Sequence, residues 1–534
     1  MIQISNLSIS IYKSKDDLLK KVAKELKVKQ TDIIKFDVIK KSIDARKKED
    51  VKYVYSLAVE VKEETKLLKK LAGSINISKY EESTYILPQQ GGIDLKHRPV
   101  VVGFGPAGIF AALSLARCGF KPIVIERGED VDKRSLSVDK FWEENILNTE
   151  SNVSFGEGGA GTFSDGKLNT MVKDKSGRNN EVLKTLVEFN APKDILTDPK
   201  PHIGTDLLKG IIKNIREEII RLGGEVRFST KLEDINYKDK HLQSIKLSNK
   251  DVLDCEVLVL AIGHSARDTF ELLHKKELNI EAKSFAVGLR VQHPQSMINV
   301  SQYGKEAADI LPTASYKLTT RSSAARGVYS FCMCPGGYVV NASTEKGGLA
   351  INGMSYHDRK SESANSAIIV TVDAKEFADE TPLAGMYLQR ELESKCYKAG
   401  NSYIPVQLLG DFIKGRESME FGETKPCFKG KYTFSRLDKI LPDFIVAALK
   451  EAFAAFDKKI EGFAREDAIL AAIESRTSSP IRIVRDENLE ASIKGIYPCG
   501  EGAGYAGGIS SAAMDGLKVA EAIISKYNSS LINS

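Results

Sequence analysis

Gly103-Phe104-Gly105-Pro106-Ala107-Gly108 decides the reading of this chain. A short apolar run, Pro99 to Gly103, precedes it and an uncharged helical pattern follows. A second apolar run, Pro122 to Ile125, then ends at an acid, Glu126, 18 residues past Gly108. That layout predicts a strand–turn–helix–strand unit for an adenine dinucleotide. Gly103 allows the tight turn, Gly105 admits close backbone approach to a pyrophosphate lying on free helix amides, and Gly108 lets helix and strand touch. Glu126 is the expected partner of a ribose diol. Pro106, Ala107 and Arg127 belong to the same turn and strand end and are counted among the expected contacts.

The glycine spacing recurs at Gly156/Gly158/Gly161 and at Gly502/Gly504/Gly507, but neither copy has the flanking strands and acid of the first. Both read as glycine-rich loops approaching the same ligand. Gly161-Thr162-Phe163-Ser164-Asp165-Gly166-Lys167 imitates a phosphate-binding P-loop, yet Leu168 stands where a hydroxyl is needed for Mg²⁺, which excludes ATP hydrolysis there.

Size and composition narrow the class. The 534 residues, 42% hydrophobic and 28% charged, are globular in composition and too many for one ordinary core. Val100 to Ala116 carries no charge but holds three glycines and Pro106, so it is not read as a membrane span. Met1 to Asp17 shows no basic n-region and no continuous apolar core, so a cytoplasmic location is expected. Seven cysteines form no CxxC pair, which points to reduced thiols; Cys332 and Cys334, spaced CxC, are a poor metal pattern, and no metal site is expected. The net charge of +5 is uneven, because residues 1–96 hold 20 Lys/Arg against 14 Asp/Glu. A basic end can meet RNA, although no aromatic RNP motif or GXXG loop accompanies it.

Four segments are expected. Residues 1–90 read as strand, helix, two strands and helix, a small ferredoxin-like α+β domain. Residues 96–284 carry the dinucleotide unit, 285–464 an inserted mixed α/β domain rich in strands and turns, and 465–534 the return, beginning with a helix from Arg465 to Glu474. The late segment Gly500-Glu501, a glycine loop and a helix from Ser510 then close the first part.

A long dinucleotide such as FAD needs further contacts from distant sequence, and three segments supply them. Taken together, the first glycine turn, the strand end Ala261-Ile262-Gly263 and the late Gly500-Glu501 resemble the two-dinucleotide-fold flavoproteins. In that pattern an Asp usually follows the late glycine and binds the ribityl chain; Glu501 is one methylene longer, which shifts the contact. More narrowly, Phe155 to Leu168, Glu474 to Pro480 and Gly500 to Ile509 resemble the bacterial FAD-dependent, or NAD(FAD)-utilizing, dehydrogenases. The resemblance implies a Rossmann-like, three-layer FAD-binding α/β domain. It also implies that Gly158, Gly159 and Gly161 border the FAD while Gly507, Gly508 and Ile509 approach the ring.

The implied activity is hydride transfer through flavin N5 to or from a small organic substrate, with the carbon chemistry belonging to the cofactor. No second complete nucleotide-binding unit appears, so NADH or NADPH, if it is the donor, shares the substrate cleft. Arg476, in a Ser/Thr-rich turn, is the candidate carboxylate clamp, with an ion pair to a neighbouring acid as the alternative. Asp165 and Lys167 are candidates for proton transfer or ring stabilisation. Two alternatives stay open: a flavoprotein acting on RNA through residues 1–90, as in tRNA modification, and a non-enzymatic flavin redox sensor.

Overall fold

Why the chain forms layers is visible in three of its short strands. A computed structural model describes residues 1–82, 84–377 and 379–533. Val100–Val102, Ile123–Ile125 and Leu258–Leu260 are apolar at every position, as a parallel strand covered on both faces must be. They form a parallel five-stranded sheet with Ile496–Pro498 at one edge and Glu225–Arg227 at the other.

Alternation sorts their side chains between two layers. Val101, Val124 and Val259 pack against the helices Pro106–Arg117, Thr205–Arg221 and Ile509–Lys526. Val100, Val102, Ile123, Ile125, Leu258 and Leu260 face the opposite way, onto Ile235, Leu242 and Ile245 of an antiparallel three-stranded sheet and onto Phe270 and Leu273 of the helix Arg267–Lys275. The result is three layers, helix, parallel sheet and antiparallel sheet, as expected for the Rossmann-like part.

Residues 1–79 form an antiparallel sheet in which Ile2–Ser10 lies between Lys52–Val61 and Ile77–Lys79, with Ile33–Asp44 outside Lys52–Val61. With the helices Lys15–Leu26 and Glu64–Lys70 this is the ferredoxin-like order, completed by Ile77–Lys79, a strand of only three residues that its sequence does not announce. The unit docks through Ile11 and Val51 onto Ala307 and Leu311, and the Lys41 amide donates to Thr197 O at 2.9 Å.

Between these parts lies a mixed seven-stranded sheet in the order Thr319–Arg321, Gly327–Cys334, Ser363–Val372, Phe285–Pro294, Ile469–Glu474, Ile404–Leu408, Tyr432–Phe434. The helix Asp443–Asp457 covers it with Ile445, Leu449, Phe453 and Phe456. One sequence expectation needs correction: the stretch read as a helix from Arg465 to Glu474 contains the strand Ile469–Glu474, which pairs antiparallel with both Phe285–Pro294 and Ile404–Leu408. A wholly buried strand shows no alternation, and its alanines imitate a helix. The chain enters and leaves this sheet through one antiparallel ribbon, Ile280–Ala282 against Ile481–Ile483.

Candidate functional site

The carboxyl ends of the parallel strands and the starts of two helices open onto one cavity of about 520 Å³, the position where open α/β sheets place their ligands. From the first glycine turn it is lined by Gly103, Gly105, Pro106 and Ala107, and from the next strand end by Glu126 and Arg127. Gly159 and Gly161 of the second loop, Ala261 and Gly263, and then Glu501, Gly507, Gly508 and Ile509 also line it. Segments around positions 105, 160 and 505 therefore meet at one place.

Three expected residues do not line it, for steric reasons. A Cβ on Gly108 would lie 1.9 Å from Gly103 O, so this glycine holds helix against strand. Gly158 abuts Thr162 and Ile212 and donates its amide to Phe104 O at 2.8 Å, while Gly500 abuts Ala107 and donates to Asp515 Oδ2 at 2.8 Å. These residues shape the walls without facing the space. Gly103, with φ +98°, is the turn that only glycine makes cheaply.

Several groups prepare this cavity for an anionic, hydroxyl-bearing ligand. The amides of Gly105, Ala107 and Gly108 open the helix Pro106–Arg117 with no acceptor among the described residues. Glu126 is buried and accepts from the amides of Phe104 (2.8 Å), Gly128 (2.9 Å) and Gly156 (2.9 Å), which ties both glycine loops to one carboxylate. Three of its roughly four acceptor positions are thus used. Glu501 stands 3.3 Å from His264 Nδ1, and both line the cavity.

Arg134, a residue that sequence spacing does not single out, builds the second glycine loop. Its guanidinium is fully buried and donates to five backbone carbonyls: Asn152 (2.8 Å), Val153 (2.9 Å), Gly156 (3.3 Å), Glu157 (2.6 Å) and Gly159 (2.9 Å). Burial lowers its ordinary pKa to about 10, so it stays charged at neutral pH.

The candidate clamp Arg476 lines the cavity, but its fork is spent: Nε and Nη2 donate to Glu393 at 2.9 and 2.7 Å, and Nη1 to Thr344 and Ser265 at 2.7 and 3.2 Å. Bidentate capture of a substrate carboxylate by Arg476 is therefore corrected to the ion pair. Burial acts to raise the Glu393 carboxyl, but Arg267 and Arg476 outweigh it and hold it far below its usual range. Glu474 is likewise taken by buried Arg290 at 2.9 and 2.8 Å.

Asp165 and Lys167 both line the cavity, 3.4 Å apart. Asp165 is 3% exposed and also pairs with Arg359 (Nε 3.2 Å, Nη2 2.5 Å) and the Ser355 hydroxyl. Burial raises its carboxyl, and the charges of Lys167 and Arg359 more than reverse this. The pairing favours the ionised form of Asp165, held between two cations. Cys332 and Cys334 line the same wall, Cys334 buried and Cys332 exposed. Tyr505 lies under Arg485, 3.7 Å from guanidinium carbon to ring centre, and Cys499 is wholly buried. His293 and His357 are held by the carbonyls of Phe463 and Ile203.

Comparison with known proteins places the chain among relatives. An uncharacterized protein of Clostridium beijerinckii is 54% identical over 533 residues, covering 99% of both chains. The chain belongs to that protein's family. Residues 284–477 match the family model described as FAD-dependent protein, C-terminal domain-like, whose span runs from the start of Phe285–Pro294 to just past Ile469–Glu474. Residues 1–60 match a domain of unknown function. Among solved structures, the glycine oxidase of Bacillus cereus is 10% identical, covering 82% of this chain and 100% of that one, with a TM-score of 0.31. The L-proline dehydrogenase of P. horikoshii is 14% identical over 82% and 94%, with a TM-score of 0.32. Likeness at that level leaves the fold to be argued from the sheets themselves. No helix among the described residues is long and apolar enough to cross a membrane.

Proposed function

We propose that this protein is an FAD-dependent oxidoreductase acting on a small organic molecule. The observation that carries the reading is the single cavity shared by Gly105, Gly159, Gly161, Ala261, Gly263, Gly507 and Gly508, four separate segments around one elongated space. The matched family model adds support from residues that lie outside those segments.

FAD bound there supplies reversible two-electron chemistry, with hydride exchanged at N5. The chain's own residues do the rest. The free amides of Gly105 and Ala107, both lining the cavity, would meet the pyrophosphate at the positive end of their helix. Glu126 keeps acceptor capacity for ribose hydroxyls, and Glu501 with His264 borders the polyol chain. A side chain on Gly507 or Gly508 would meet no atom within 4 Å, so the backbone there leaves room for a flat ring beside Ile509. The amides starting the helix Ile509–Lys526 offer positive dipole density to negative charge on that ring.

In this reading residues 1–90 are an accessory unit, 96–284 and the C-terminal part hold FAD, and the insert, extended to about 477 to keep Ile469–Glu474, walls the substrate side. NADH and NADPH are the donors to test. The purified protein is expected to be yellow, and anaerobic addition of one nicotinamide, or of a substrate, is expected to bleach it. A colourless protein that cannot be reconstituted with FAD would overturn the proposal.

A further inference from the structure

The wall of the cavity contributed by the insert and the segment before it carries more positive than negative charge. Asp165 is the single buried carboxylate that Lys167 and Arg359 share, and their geometry leaves Arg359 Nη1 with no acceptor among the described residues. Lys200 and Lys317 line the same cavity and are exposed at its mouth. Among the described residues neither has a carboxylate partner: Lys200 Nζ meets only the Ser315 hydroxyl at 3.5 Å, and Lys317 Nζ only the Met171 sulfur at 3.5 Å. The acids elsewhere on this wall do not compensate, because Glu474 is already neutralised by Arg290.

We infer that this wall recognises an oxyanion, the carboxylate or phosphate head of the substrate, through Arg359 Nη1 with Lys200 and Lys317. The inference deepens the proposed function, since it takes the cavity as a cleft shared by cofactor and substrate. Its physical basis is a surplus of cations within a concave wall, where the surrounding low-dielectric protein strengthens attraction for an anion. Arg359 is preorganised for this role. Its Nε and Nη2 are fixed by Asp165, so the free Nη1 is held in place instead of sweeping through solvent. That separates it from Arg476, whose fork is closed on Glu393.

The test uses three probes: inorganic phosphate, benzoate and its neutral counterpart benzamide. Binding is read by thermal shift and, where flavin is present, by perturbation of its absorption band. Lys200→Gln combined with Lys317→Gln removes two exposed, unpaired cations without opening an ion pair, and Arg359→Lys is the second variant. Phosphate or benzoate is expected to bind the wild-type protein, with benzamide much weaker. Affinity for the anion is expected to fall about tenfold in the double lysine variant, roughly threefold for each exposed cation. A preference for phosphate over benzoate, or the reverse, assigns the head group. Equal binding of benzoate and benzamide, binding of neither anion, or unchanged anion affinity in both variants overturns the inference. The thermal-shift readout works on colourless protein, so failure of the cofactor reading and failure of anion recognition give different results.

Discussion

Replacing Arg134 by Met tests whether the loop at residues 152–159 is shaped by one buried cation. The five carbonyls that Arg134 holds would be left without their donor in a region that is itself buried. At about 1 kcal/mol net for each hydrogen bond, the loss is about 5 kcal/mol. Removing a guanidinium that is costly to bury returns part of it, leaving roughly 3 kcal/mol of destabilisation. For a unit of this size that corresponds to an apparent melting temperature lower by about 6–12 °C. The local consequence is sharper, because Gly158 N bonds Phe104 O at 2.8 Å and Gly156 N bonds Glu126 at 2.9 Å. Loosening the loop loosens the first glycine turn with it. Scanning calorimetry, limited proteolysis within 148–161 and flavin content after gel filtration are the assays. Arg134→Lys is expected to fall between wild type and Met, since an ammonium keeps the charge but offers three donors in place of five. Unchanged melting, proteolysis and flavin content in the Met variant would refute the reasoning and show that the glycines alone set the loop.

Two further outcomes are expected. Gly105→Val is expected to fold but lose its cofactor, since a Cβ there meets only Gly159 Cα at 3.6 Å before entering the cavity, whereas Gly108→Val is expected to fail to fold, its Cβ being 1.9 Å from Gly103 O; soluble yield and flavin absorbance separate the two. His293 is buried with its ordinary pKa lowered to about 4 by burial, so the unfolded chain takes up a proton near pH 6.5 and the folded one does not until about 4. Its contribution is full above pH 6.5 and is lost as pH falls through that window. Comparing stability at pH 7 and pH 5, His293→Gln is expected to remove about 2 kcal/mol of the difference, and an unaltered pH slope would contradict it.

What was legible in the chain was local. Val100 to Glu126 encodes strand, turn, helix, strand and acid within one continuous stretch, and each residue's role follows from its neighbours. The return strand was not legible, because Ile469–Glu474 is buried on both faces and has no period to read. The role of Arg476 was hidden for another reason: Glu393, its partner, lies on the helix Ala384–Ala399, far away in sequence. Arg134 and Arg359 had no motif to mark them, because their meaning comes from carbonyls and a carboxylate that only folding delivers.

The edge strand Ile496–Pro498 and the helix Ile509–Lys526 are the last pieces of the first layer to leave the ribosome. The helix Pro106–Arg117, against which Ala513, Leu517 and Ala520 must cluster, was made hundreds of residues earlier. At ordinary elongation rates of about 5–20 residues per second, the nascent chain waits roughly 20 s or more with that apolar flank open. Vectorial synthesis thus makes the finished half-sandwich dependent on its own tail, and a ribosome stalled before Ile496 would release a chain prone to self-association.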